Sequence, residues 1–108
     1  MVLITLGAVL GKCSLVQLWI LATFEIIFYG LNFSICATHL GAVDLGGSMY
    51  VHVFGTYFGL AATYFFENKK AIKDANSRCE GNYSSQLVAM LGTLTLWIFW
   101  PSANAALA

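Results

Sequence analysis

The residues able to do chemistry gather between Asp44 and Gly59, in the run Asp-Leu-Gly-Gly-Ser-Met-Tyr-Val-His-Val-Phe-Gly-Thr-Tyr-Phe-Gly. It holds an acid, a glycine pair and one histidine, His52, inside an apolar stretch. Helical spacing sets Ser48, His52 and Thr56 on one stripe, each four residues from the last. Neutral imidazole offers one donor and one acceptor nitrogen. Such a ring can hold a polar solute or relay a proton without bringing a full charge into an apolar place. It can equally bond a neighbouring helix and do nothing more. Asp44 lies eight residues before His52, about 12 Å along a helix axis, too far for contact on a straight helix. The two can be stations on one path, the acid attracting cations at a mouth and the imidazole acting within. Asp44 can also simply accept from free backbone donors at a helix start. A second acid, Glu25, falls near the middle of another apolar stretch, where an acid should face protein or a wet cavity. No nucleophile–base pair, phosphate loop or metal cluster is visible, so an enzyme is not expected. Neither a metal nor any cofactor is expected.

The elements that must position these residues are helices in lipid. The chain has 108 residues, of which 59% are hydrophobic and 9% charged. Soluble domains carry about 25% charged residues. A chain this short leaves much of its surface exposed, so that surface must meet lipid. The formal net charge is zero, which gives no footing for nucleic acid. Cys13, Cys36 and Cys79 lack metal-ligand spacing, and their odd number argues against a simple disulfide framework.

The reading is all-α, a polytopic transmembrane helical protein. Residues 1–11 read as the end of a spanning helix whose start is missing, since about 20 residues are needed to cross. Spanning helices are expected at about 13–38, 45–66 and 84–106. Both ends of the chain fall inside apolar runs, which leads us to expect a fragment. Ser14 can cap the second helix. Gly46-Gly47 calls for a tight turn or a close backbone approach. Gly7 with Gly11, and Gly55 with Gly59, form small-xxx-small pairs suited to close helix contact. His39 reads as a solvated loop residue. Pro101 should kink its helix or end its regular part. Residues 67–80 read as a polar loop with a short helical turn at 71–75. All five basic residues lie in two connections, Lys12 in one and Lys69, Lys70, Lys73 and Arg78 in the other. The positive-inside rule puts both in the cytoplasm and residues 39–44 outside. Asn82-Tyr83-Ser84 has the form of a glycosylation acceptor but falls on the cytoplasmic side.

Three segments together resemble the Rh glycoproteins of the ammonium transporter superfamily. The first is Gly7-Ala8-Val9-Leu10-Gly11-Lys12 with Ser14 and Gln17-Leu18. The second is Asp44 through His52, then Phe54-Gly55-Thr56-Tyr57-Phe58-Gly59. The third is Ala89-Met90-Leu91-Gly92-Thr93, then Leu96-Trp97-Ile98-Phe99-Trp100-Pro101-Ser102 and Asn104. The resemblance implies that residues 1–108 are part of an ammonium transporter domain, from the first of two inverted halves. It implies homo- or hetero-trimers in the plasma membrane, with one pore per subunit passing ammonia recruited as ammonium, and in some members carbon dioxide. By the same resemblance His52 matches the first of two pore histidines. Asp44 matches an acid tied to ammonium recruitment or pore architecture, and Glu25 an acid near the outer vestibule. One departure stands out. The family pattern Pro-Ser-Phe-Asn reads Pro101-Ser102-Ala103-Asn104 here, so a ring of the phenylalanine gate is replaced by Ala103. The rival readings are a non-conducting scaffold of the same fold and an ammonium sensor.

Overall fold

The computed structural model describes residues 1–66 and 81–106. The loop expected at 67–80, its helical turn and four of the five basic residues lie outside the described residues. The described residues are helical throughout, in four segments: α1 (Val2–Val9), α2 (Leu15–Ser34), α3 (Phe54–Phe66) and α4 (Tyr83–Ala105). Two further stretches, Ile35–His39 and Ser48–Val53, are wound more widely, with π-helical bonding. Leu15–His39 (25 residues) and Tyr83–Ala105 (23 residues) are long and apolar enough to cross a membrane. The third expected span is helical from Ser48 to Phe66 rather than from residue 45.

Local chemistry explains the boundaries. Ser14 caps α2 as expected: its hydroxyl accepts from Gln17 N at 3.3 Å, and the Gln17 side chain accepts from Ser14 N at 2.8 Å. This reciprocal capping box satisfies two backbone donors that an open helix start would leave free. Asn82 caps α4 by accepting from Ser85 N at 2.8 Å. Gly46 and Gly47 make the turn before Ser48, with φ of 82° and 74°. A side chain is strained in that left-handed region.

The tight packing is between α1 and α3, which share the most extensive contact in the chain. A Cβ added to Gly59 would stand 2.9 Å from Ala8 Cβ and 3.2 Å from Thr5 Cα. One added to Gly55 would stand 3.2 Å from Ile4 Cβ. The Gly55–Gly59 pair is thus the groove in which α1 rests. Gly7 and Gly11 do not serve this purpose. Gly7 has nothing within 4 Å of an added Cβ, and Gly11 sits in the following turn with φ of 78°. On α1 the approach is made by Ile4, Thr5 and Ala8 instead. The hydroxyl of Thr63 lies 3.0 Å from Ala8 O and 2.9 Å from Gly59 O, closing the far end of the seam.

α2 meets α3 through aromatic edges. Tyr29 and Phe54 rings are 5.9 Å apart, and Phe33 and Tyr50 rings 5.2 Å, both edge to face. Such pairs add about 0.5–1.5 kcal/mol beyond the area they bury. α4 buries none of its residues. It continues past Pro101 to Ala105, so of the kink or end expected there it does not show the end. Proline removes one backbone donor, which leaves Trp97 O without its usual helical partner.

Candidate functional site

Asp44 shapes the start of the histidine-bearing helix. Its Oδ2 accepts from Met49 N at 2.9 Å and from Tyr50 N at 2.8 Å. Those are two of the free donors at the helix start, and an acid there also faces the positive end of the helix dipole. The capping role expected of Asp44 is therefore present. Immediately after it the helix widens. Gly47 O receives both Val51 N and His52 N, each at 3.0 Å. The second bond spans five residues rather than four, and such widened turns are frequent at functional sites. Tyr50 is buried, and its hydroxyl donates to Ala42 O, tying the preceding connection to the turn.

His52 lies in this widened turn and is partly buried. Its ring meets Trp100 of α4 edge to face, with centroids 4.8 Å apart. The two line an open hollow of about 570 Å³ with Thr93, Leu96, Trp97 and Pro101. Its polar groups are the imidazole, the indole N–H groups of Trp97 and Trp100, and the Thr93 hydroxyl, which donates to Ala89 O of its own helix. The polar stripe expected from spacing is reduced in the same way. Thr56 spends its proton on His52 O at 2.7 Å, and Ser48 lies exposed in the widened turn. The imidazole and the two indoles are thus the polar groups of the lining with no hydrogen bond to their own helices. Among the described residues it closes into no pore, and no cluster of metal-ligating side chains is found.

Glu25 stands apart from this hollow. It is fully buried, eleven residues into α2, with Oε1 2.6 Å from Thr5 Oγ1. It thus faces protein, at the contact of α1 with α2. Ala103 is exposed near the end of α4. Its neighbour Asn104 reaches the glycine turn: a Cβ on Gly46 would stand 3.2 Å from Asn104 Cα and closer still to its side chain. His39 is exposed at the end of its helix, in keeping with a solvated residue.

Two contributors were missed from the sequence. Thr5, a hydroxyl in an apolar helix, is the partner of Glu25, and its signal was that polar exception. Trp100 borders His52 and had no local signal, because the contact crosses from α4.

Apolar helices of spanning length and a small-residue seam mark a helical membrane protein. The Ammonium Transporter Family profile matches residues 1–108, and the chain belongs to that family, among its Rh-type members. Over 105 residues it is 50% identical to "Ammonium transporter Rh type B" of Oryzias latipes, covering 97% of this chain and 22% of that one. "Rhesus-like glycoprotein B" of Dictyostelium discoideum is 47% identical, over 99% of this chain and 18% of its own length. The human "Ammonium transporter Rh type B" is 45% identical, over 98% of this chain and 23% of its own length. The chain thus spans about a fifth of the length of these relatives. No solved structure matches it. This is a family of transporters, which agrees with the absence of any enzyme-like constellation from the sequence.

Proposed function

We propose that the full-length protein moves ammonia or ammonium across a membrane, and that this chain supplies part of the first half of its pore. The observation that carries the reading is His52, held by a widened, acid-capped turn against an apolar hollow. Its neutral ring can accept from, or donate to, a small polar solute where water is scarce. Membership in the ammonium transporter family supports the same choice of solute. So do the relatives, whose names describe ammonium transporters of Rh type B.

On this reading His52 lines the pore and Asp44 keeps its architecture by fixing the turn that carries His52. Multi-pass insertion in the plasma membrane, assembly into homo- or hetero-trimers, and passage of carbon dioxide belong to the same proposal. Ala103 favours a second reading, a non-conducting scaffold, because no ring stands at the gate position. Methylamine uptake by the full-length protein, with and without His52→Ala, separates the two. Uptake well above empty cells, lost in His52→Ala, is the expected result. Uptake at the level of empty cells would end the transport reading. Saturable ammonium binding without flux would point to a sensor.

A further inference from the structure

The hydroxyl of Thr5 has two acceptors and one proton. Its Oγ1 is 2.6 Å from Glu25 Oε1 and 3.0 Å from Gly55 O. Three helices meet at this point, since Thr5 is on α1, Glu25 on α2 and Gly55 on α3. Thr5 is 1% exposed and Glu25 0%, beside an apolar hollow of about 290 Å³ bordered by Val2, Leu6, Leu18 and Ala22. The other carboxyl oxygen, Oε2, is buried without a hydrogen-bond partner.

An ionised Glu25 fits these facts poorly. A carboxylate only accepts. It would take the Thr5 proton, leave Gly55 O facing hydroxyl lone pairs, and leave a charged Oε2 with no donor. A buried charge in that state is heavily penalised, and such groups take up a proton instead. A neutral acid resolves each problem. Its proton sits on Oε1 and is donated to Thr5 Oγ1, and the Thr5 proton passes on to Gly55 O. Oε2 is then an uncharged carbonyl oxygen, the cheapest group to leave unpaired.

We infer that Glu25 is a protonated carboxylic acid that acts as a positioning residue, donating through Thr5 to Gly55 and so locking α1 and α2 to α3 one turn after His52. The groups facing it among the described residues are the Thr5 hydroxyl from α1 and the Gly55 carbonyl from α3.

The test uses the full-length protein in lipid nanodiscs and in cells. The infrared difference between wild type and Glu25→Gln at neutral pH should contain the carbonyl band of a protonated carboxylic acid. A carboxylate band in its place would overturn the inference. Glutamine keeps a donor toward Thr5, so Glu25→Gln should hold methylamine uptake and its pH profile within about twofold of wild type. Glu25→Ala should reduce the yield of folded protein. Normal folding of Glu25→Ala, or loss of uptake in a well-folded Glu25→Gln, would also overturn it. Should Glu25→Gln fail to fold, Thr5→Val gives a second arm. Removing the acceptor should move the acid band to higher frequency, and an unmoved band refutes the hydrogen bond. The infrared arms do not depend on transport, so a failed transport reading is told apart from a failed inference.

Discussion

Replacing Gly59 with alanine tests the seam on which the arrangement depends. The added Cβ would stand 2.9 Å from Ala8 Cβ, 3.2 Å from Thr5 Cα and 3.4 Å from Thr5 O. Carbon atoms rest at about 3.5–4.0 Å, so the first contact is short by roughly 0.6–1.1 Å. Two of the three obstacles are backbone atoms, and no rotamer change relieves them. The helices must part, and overpacking of this kind costs about 1–3 kcal/mol. Better helix propensity returns about 1 kcal/mol, so the net loss should be about 0–2 kcal/mol. That narrow net makes the single substitution a weak test and the double-mutant cycle with Ala8→Gly a strong one. Ala8→Gly removes the nearest obstacle and alone costs about 1 kcal/mol in propensity. Paired with Gly59→Ala it should recover about 0.5–2 kcal/mol relative to additivity. The assay is reversible denaturation of the full-length protein in mixed micelles. Additive effects within about 0.3 kcal/mol would refute the close α1–α3 contact.

Asp44→Ala removes the acceptor for Met49 N and Tyr50 N and should cost about 0.5–2 kcal/mol by the same denaturation assay. Asp44→Asn keeps an accepting oxygen and should lose far less. Equal loss of methylamine uptake in both, with stability intact, would mean that the charge itself matters. Gly46→Ala should cost about 1–2 kcal/mol from its left-handed backbone alone. It should also dislodge Asn104, so a spin-label distance between the 44–47 turn and the end of α4 should lengthen. Trp100→Ala removes the edge contact on His52 and should lower methylamine uptake, whereas Trp100→Phe should keep much of it. Equal uptake in all three proteins would show that the ring does not orient the imidazole. Asn82→Ala should leave electrophoretic mobility unchanged in a glycosylating host, because the residue is expected on the cytoplasmic side. A mobility shift would reverse the assigned orientation.

What was legible in the sequence was chemistry contained within a few consecutive residues. Ser14 with Gln17, Asp44 at the head of its helix and Gly46-Gly47 in a turn each satisfy backbone groups a few positions away. Type and spacing alone therefore identified them. The Gly55–Gly59 groove was legible for a different reason: two small residues four apart leave a notch whatever fills it. Its partner was not legible. Gly7 and Gly11 have the same spacing, yet the face α1 presents is fixed by where α3 lies. Glu25 was recognised as an acid that should face protein or a wet cavity, and the choice depended on Thr5, twenty residues away. The widened turn at Ser48–Val53 was hidden too. It arises when Gly47 O accepts from His52 N, and nothing in the composition of that stretch selects a five-residue bond over a four-residue one. Pro101 left a kink and an end both open, and the helix does not end there. Proline lowers the stability of a helix, and whether the helix stops is decided by what surrounds it.

The two faces of α3 are held very differently, and the difference bears on His52. Toward α1 lie Gly55, Gly59 and Ala62, all buried, with threonine hydroxyls bridging the helices at both ends. Toward α4 lies the His52 hollow, bordered by a helix that buries none of its residues. Packing energy within these residues therefore fixes where the backbone of His52 sits, through the seam and the Asp44 cap. It does little to fix the opposite wall. Trp100 and Asn104 touch α3 and its preceding turn at single points, and single contacts do not hold a 23-residue helix. In the longer relatives the chain continues for several times this length. Among the described residues the imidazole is thus preset by the seam and the cap, while the α4 wall of its hollow is held at single contacts.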